Sequence, residues 1–294
     1  MRLPVVVGVD GSEGSLRALD WAAAEAARSR LPLRIVHASL WEHYEGLRPT
    51  ADSGRPPEQI LAEHLVASAR DRVRDLSPGV SVVADVQPED PVAALVRESH
   101  EAALVVLGSR GRGRIAGMLL GSVGLALAGR SHCPVVVIPA TPPLAPAEPG
   151  RVVVGISDAT GPSAAAVFAL AQAASRHGEL VAVRAWRRPT HEFLSRTPLP
   201  GSPASAHRRR AEEHLEEVLG ALAERDDSGT VVHRSVTQGP AHQVLIEASE
   251  GAELLVVGAR RSSGWHGLQL GPVDHAVLHY APCPVAVVPD TYQG

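Results

Sequence analysis

The segment Leu104–Val123 reads LVVLGSRGRGRIAGMLLGSV and joins a short apolar run to a glycine-rich loop. Continuous runs such as the first four residues are typical of strands buried on both faces, and Gly121 opens a helical pattern. Glycines allow positive φ and close approach of the backbone to a ligand. A helix start offers unpaired N–H groups and the positive end of its dipole. The segment therefore predicts an anion-binding turn, with a plain surface turn as the alternative for a single glycine-rich loop.

Polar side chains around the loop add to this interpretation. Three arginines, Arg110, Arg112 and Arg114, supply positive charge, and Ser122 supplies a hydroxyl at the helix start. Two residues separate Gly108 from Gly111, and nine more precede Gly121-Ser122. This spacing resembles the nucleotide-binding signature of the universal stress protein family, in its ATP-binding branch. The resemblance implies ATP as the ligand, alone or with Mg²⁺.

The sequence of 294 residues contains two similar halves, with a repeat period of about 147–150 residues. The sequence VVVGV at 5–9 returns as VVVGI at 152–156, and LVVLG at 104–108 returns as LLVVG at 254–258. The sequence CPVVVIP at 133–139 returns as CPVAVVP at 283–289. We therefore predict two domains, 1–140 and 151–294, joined by a proline-rich linker at 141–150.

Strand and helix patterns alternate within each copy. In the first copy we predict strands at 5–9, 33–38, 80–86, 104–107 and 135–138, and helices at 15–28, 58–76, 91–101 and 121–130. Such alternation gives a doubly wound α/β sandwich on a parallel sheet, a Rossmann-like architecture. The family resemblance further implies an adenine nucleotide alpha hydrolase-like fold, present here as two tandem domains.

Ligands of open parallel sheets bind beyond the carboxyl ends of the strands, where the strand order reverses. Three such ends converge in the first copy: 10–12, 38–39 and 108–114. The resemblance implies that Asp10 approaches the ribose–adenine side and that the backbone around Ala38 meets adenine. It implies that the glycine loop and the start of the next helix contact phosphate and ribose. The candidate residues of this copy are Asp10, Gly11, Ser12, Ala38, Gly108, Ser109, Arg110, Gly111, Arg112, Gly113, Gly121, Ser122 and Val123.

Asp10 also has a second interpretation, because Asp before Gly-Ser is a common turn and helix-cap arrangement. The two roles are compatible with each other.

The second copy keeps only part of the motif, with Gly258, Arg260 and Gly271 as its candidate residues. Arg261 stands where the first copy has Gly111, and arginine adopts positive φ only at a cost. Proline replaces Ser122 and removes both an N–H and a hydroxyl. We expect weak nucleotide binding or none in this copy, although Arg260 and Arg261 could contact phosphate in compensation.

Composition excludes several classes of protein. A net charge of −4 and a pI near 6.4 do not suggest a nucleic-acid partner. All 28 basic residues are arginine, and the absence of lysine excludes Walker-type loops, protein kinases and Schiff-base enzymes. The two cysteines, Cys133 and Cys283, form no metal or redox motif. We find no signal-peptide layout and no membrane-length apolar run, and therefore expect a cytoplasmic protein.

Two further patterns concern metal binding and catalysis. His275 and His279 have the i, i+4 spacing of metal ligands, but no third ligand accompanies them, so no metal site is expected. No catalytic Ser/His/Asp set is visible. We therefore predict that the protein is an ATP-binding stress-response regulator. A slow ATPase or adenine-nucleotide hydrolase, and a nucleotide-free interaction scaffold, are the alternatives. In similar proteins the terminal strands pair between domains, so we expect an intramolecular pseudo-dimer. We expect homo-oligomer formation through the same terminal strands, 135–138 and 285–288.

Overall fold

The computed structural model describes residues 2–40, 57–111, 120–141, 147–158, 161–187, 203–259 and 270–292. Three candidate residues, Arg112, Gly113 and Arg260, lie outside these ranges. The chain folds as two compact units, Met1–Ala140 and Thr141–Gly294, and each is described by itself.

Unit 1 alternates strands and helices in the predicted order. Its elements are β1 (Val5–Gly8), α1 (Glu13–Ser29), β2 (Leu33–Ala38), α2 (Pro57–Leu76), β3 (Val82–Gln87), α3 (Pro91–Glu98), a 3₁₀ turn (Ser99–Glu101), β4 (Leu104–Gly108), α4 (Ser122–Arg130) and β5 (Val135–Ile138). The helix predicted at 91–101 therefore stops as an α-helix at Glu98 and ends in the 3₁₀ turn. Helices commonly tighten in this way at their last turn.

Unit 2 repeats the plan. Its elements are β6 (Val152–Gly155), α5 (Ala164–Ser175), β7 (Glu179–Trp186), α6 (Pro203–Ala223), β8 (Val231–Gln238), α7 (Ala241–Ala248), β9 (Leu254–Ala259), α8 (Pro272–Tyr280) and β10 (Val285–Pro289).

Both units are doubly wound parallel sheets, which confirms the predicted fold class. The strand order is β3-β2-β1-β4-β5 in unit 1 and β8-β7-β6-β9-β10 in unit 2. In unit 1, Val5 lies opposite Leu33 on one side and opposite Leu104 on the other. The strand order reverses between β1 and β4, so a crevice opens beyond the carboxyl ends of these two strands.

The core lies on both faces of the central strands. Val5, Val6 and Val7 of β1 and Val105 and Val106 of β4 are fully buried. Burial on both faces explains why these strands read as unbroken apolar runs rather than as alternating patterns. Helix α1 covers them with an alanine-rich stripe that includes Leu19, and it ends where Arg30 takes the left-handed conformation (φ 52°).

One strand of unit 1 carries a charge within its apolar sequence. Nε of Arg34, in the middle of β2, donates to Glu98 at 2.7 Å, and its Nη2 donates to Asp85 at 3.0 Å. The strand registers place Val181 of β7 at the same position in unit 2. This ion pair is therefore a property of unit 1 and not of the repeat.

Candidate nucleotide-binding site

The turn from β1 to α1 is built around Asp10 and Ser12. Oδ1 of Asp10 accepts the Ser12 N–H at 2.9 Å, and Gly11 between them has a φ of 79°. Ser12 is the N-cap of α1, and its Oγ accepts the Ser15 N–H at 3.2 Å. One oxygen of Asp10 thus takes the turn role that the sequence allowed, while the side chain still lies at the carboxyl end of β1.

The backbone after β4 lies directly against the first turn of α1. A Cβ built on Gly108 would stand 2.6 Å from the carbonyl carbon and oxygen of Gly14. A Cβ built on Gly14 would stand 2.5 Å from the carbonyl oxygen of Arg110. Both positions therefore require glycine, since any side chain would push the two backbones apart.

Gly111 lies against the carboxylate of Asp10. A Cβ at Gly111 would stand 2.4 Å from Oδ2 of Asp10. None of Gly108, Gly111 and Gly121 has positive φ, so the conformational reason expected for these glycines is wrong. Gly11, in the neighbouring turn after β1, does have positive φ. Close approach to the Asp10 carboxylate and to the first turn of α1 explains the glycines at 111 and 108 instead.

The start of α4 returns to the end of β4. The Gly121 N–H donates to the Ser109 carbonyl at 2.7 Å, and the buried Ser109 donates its own N–H to Ile138 at 2.8 Å. Gly121 is the N-cap of α4, and no side chain in the described part of the chain caps this helix. The N–H groups of Ser122 and Val123, in the first turn, have no intrahelical acceptor. A helix start of this kind, beside the glycine loop, can bind an anion.

The second strand brings its end to the same edge. His37 is buried, and its Nδ1 lies 2.7 Å from the carbonyl oxygen of Val9, so the ring proton is on Nδ1. This hydrogen bond holds the His37 ring in the packed interior of the sheet. Ala38, half-buried, pairs with Gln87 on β3 at the end of β2.

The described residues predicted for the site of the first copy thus fall into three groups at one edge of unit 1. They are 10–12 after β1, Ala38 on β2, and the pair of segments 108–111 and 121–123. The Arg110 side chain is exposed, and its carbonyl accepts from Ser12 Oγ at 3.4 Å. Glycine backbone, an uncapped helix start and an arginine together suit a polyphosphate.

Sequence reasoning missed Gly14, which carries the closest backbone contact of the site. Gly14 looks like an ordinary helical glycine, and the only signal was that a poor helix former stands in the first turn of a well-formed helix. In unit 2 the corresponding residue is Ala165, and a Cβ on Gly258 would stand an ordinary 3.6 Å from the Ala165 Cβ.

The described residues offer no evident metal centre. No three His, Cys, Asp or Glu side chains within them cluster so that they could hold a metal ion. His275 and His279 stack on each other with ring centroids 5.0 Å apart. None of the helices in the described ranges is long and apolar enough to cross a membrane.

The fold and the site define a class: a tandem α/β protein with a glycine-rich loop beside a helix start at the switch point of its first sheet. The model of the universal stress protein family matches residues 1–139 and again residues 149–289. The chain belongs to the universal stress protein family, with two copies of its domain.

Two relatives are similar to the chain over nearly its whole length. The chain is 35% identical over 301 residues to universal stress protein Rv2005c of Mycobacterium tuberculosis, covering 96% of each chain. It is 33% identical over 290 residues to universal stress protein Rv2623 of the same organism, covering 97% of this chain and 96% of the relative. A crystal structure of a universal stress protein from Archaeoglobus fulgidus shares the fold, with a TM-score of 0.66 at 20% identity over 98% of this chain and 96% of that one.

Proposed function

We propose that unit 1 binds ATP, with Mg²⁺ as the accompanying ion, and that the bound nucleotide regulates a stress-response function of the protein. The observation that carries this proposal is the meeting of the Gly108–Gly111 backbone with the uncapped start of α4, through the 2.7 Å hydrogen bond from Gly121 to Ser109. This arrangement presents backbone N–H groups without a competing side chain.

The contacts divide between the two ends of the nucleotide. The N–H groups of Ser122 and Val123, the Ser122 hydroxyl and the Arg110 guanidinium are donors for phosphate oxygens. Asp10, at the end of β1, can accept hydrogen bonds from ribose hydroxyls. The backbone beside Ala38 meets the adenine edge. Family membership supports this assignment, and the direct test is binding.

The test compares two glycine-to-arginine variants in unit 1 by calorimetric titration with ATP and Mg²⁺. Gly111→Arg places a side chain where a Cβ would already stand 2.4 Å from Asp10, and it reproduces the residue of the second copy. Gly79→Arg is the matched control, because a Cβ there has nothing within 4 Å. We expect a loss of at least about tenfold in affinity for Gly111→Arg, equivalent to one lost charge-assisted hydrogen bond, and none for Gly79→Arg. Equal affinities in the two variants would refute the placement of the site.

Three further measurements on the natural protein test its nucleotide preference, its ATP turnover and its oligomeric state. Titration with ADP, AMP and cyclic AMP tests the preference for ATP. A turnover above about 1 s⁻¹, at the low end of ordinary enzymes, would favour the ATPase alternative over a binding function. Analytical ultracentrifugation with and without ATP tests whether the protein forms a homo-oligomer, for which β5 and β10 remain the proposed contacts. We place this function in the cytoplasm, where ATP is available.

A further inference from the structure

We propose that unit 2 fills its own site with its own charges, so that each chain binds one nucleotide, in unit 1 alone. Asp274 takes the place of a phosphate at the start of α8, and an Arg184–Asp158 ion pair closes the nucleoside end. This inference rests on the proposed function of unit 1.

The phosphate end differs at the first turn of the helix. Gly271 caps α8 as Gly121 caps α4, but Pro272 follows it and has no N–H to offer. Three residues after Gly271, Oδ2 of Asp274 accepts the Gly271 N–H at 3.2 Å. Asp274 is 6% exposed, and the residue at the same position in unit 1 is Gly124. A buried carboxylate thus occupies the helix start, where the dipole stabilises an anion and where a second anion would be repelled.

The nucleoside end is closed from β7. The strand registers pair Gly8 with Val36 and Gly155 with Val183, so Arg184 corresponds to His37. Nη1 of Arg184 donates to the Ile156 carbonyl at 2.9 Å, and its Nη2 forms an ion pair with Asp158. The Arg184 side chain is only 13% exposed. The Ile156 carbonyl is the counterpart of the Val9 carbonyl that His37 contacts in unit 1. The longer Arg184 side chain extends beyond this carbonyl and neutralises the Asp158 carboxylate.

Helix α6 adds a third contact at the same place. Nε2 of His214 lies 2.9 Å from the carbonyl oxygen of Ser157 and donates to it, and Ser157 corresponds to Asp10. The buried residues Ala62, Val66, Ala69 and Val73 of α2 match Ala211, Leu215, Val218 and Leu222 of α6. This match aligns His214 with Leu65, which has no polar hydrogen to donate. Unit 1 therefore lacks an equivalent contact from that position.

The turn itself is longer in unit 2. Four residues, 9–12, connect β1 to α1, whereas eight, 156–163, connect β6 to α5. The longer turn accompanies the change of Gly14 to Ala165. Asp158 follows β6 closely and is 79% exposed, and its carboxylate pairs with the largely buried Arg184. A nucleotide in unit 2 would have to compete with this ion pair at the nucleoside end and displace the Asp274 carboxylate from the Gly271 N–H at the phosphate end.

The first experiment counts ATP bound per full-length chain by equilibrium dialysis at saturating ATP and Mg²⁺. We expect one ATP per chain at saturation for the natural sequence and for Gly79→Arg. At an ATP concentration equal to the dissociation constant of the natural sequence, we expect about 0.5 ATP per chain for these two proteins and fewer than about 0.1 for Gly111→Arg. Two ATP per chain at saturation, or an undiminished half-occupancy in Gly111→Arg, would overturn the inference. No ATP bound to the natural sequence would instead overturn the proposed function, and the inference with it.

The second experiment opens unit 2 in the Gly111→Arg background. The combination Pro272→Ser, Asp274→Gly and Arg184→His gives unit 2 the corresponding residues of unit 1. We expect it to raise ATP affinity at least about tenfold over the Gly111→Arg parent, with circular dichroism confirming the fold. Asp227→Gly in the same parent is the control, since it removes one exposed carboxylate outside the site and should change nothing. A folded, opened variant that gains no affinity would show that these side chains do not exclude the nucleotide.

Discussion

Gly14 and Gly220 are both helical glycines, and alanine at the two positions should change stability in opposite directions. Alanine is favoured over glycine inside helices by roughly 0.8–1 kcal/mol. At Gly220 in α6 a Cβ has nothing within 4 Å, so Gly220→Ala should deliver most of that gain. At Gly14 the same Cβ would stand 2.5 Å from the Arg110 carbonyl oxygen.

The size of the effect follows from that distance. The two backbones at Gly14 and Arg110 must separate by several tenths of an ångström, and overpacking of this kind costs about 1–3 kcal/mol. Subtracting the helix preference leaves Gly14→Ala about 0–2 kcal/mol less stable than the natural sequence. It should also weaken ATP binding, because Arg110 lies in the glycine loop.

Native-state hydrogen exchange measured by mass spectrometry suits this test, since it reports the free energy of opening separately for each unit. The peptides to follow are those of α1 and β4 for Gly14→Ala and those of α6 for Gly220→Ala. Gly14→Ala should lower protection in unit 1, and Gly220→Ala should raise it in unit 2. Equal stabilisation by both variants would refute the claim that α1 touches the loop backbone.

Two further predictions concern buried polar groups. Burial alone would raise the pKa of Glu98, but hydrogen bonds from Arg34 and Gln87 lower it below its usual value. Ionised Glu98 therefore stabilises the fold at pH values above its unfolded pKa, near 4.3. This stabilisation is lost as the pH falls through the lower pKa of the folded state. Arg34→Met should therefore lower the free energy of unfolding by about 1.5 kcal/mol at pH 7. Thermal melts of the variant and the natural protein from pH 7 to pH 3 should show the difference in melting temperature shrinking. A difference that stays constant with pH would contradict this. Burial raises the pKa of Cys133 to about 11 and that of Cys283 to about 12. Ellman's reagent at pH 8 should therefore detect no thiol in the folded protein and two in urea. Rapid reaction of either thiol in the folded protein would show that it is not buried as described.

The fold was predictable from the sequence because each strand is short, apolar and followed by a helical pattern. Strands β2 and β5 were predicted with the bounds that the structure shows, 33–38 and 135–138. The ends of other elements shifted by a few residues, as at 80–86, where the strand runs over Val82–Gln87. Terminal residues depend on caps and tertiary contacts, which periodicity does not report.

The candidate site was predictable only in part. Glycine spacing identified the loop and the helix start, but it suggested positive φ where the structure shows close approach. The contact between Gly14 and Arg110 joins residues far apart in sequence, and no local pattern predicts it. The strand registers make Arg184 the counterpart of His37, and periodicity does not report its pairing with Asp158, 26 residues away.

The central position of β1 has a consequence for synthesis on the ribosome. Val5 pairs with Leu104, so about a hundred residues must be translated before β1 can gain its second neighbour. At roughly 5–20 residues per second this takes about 5–20 s. During that interval the nascent chain carries an unprotected valine-rich edge, which is the kind of segment that chaperones shield. The second half repeats the delay, because Val152 must wait for Leu254.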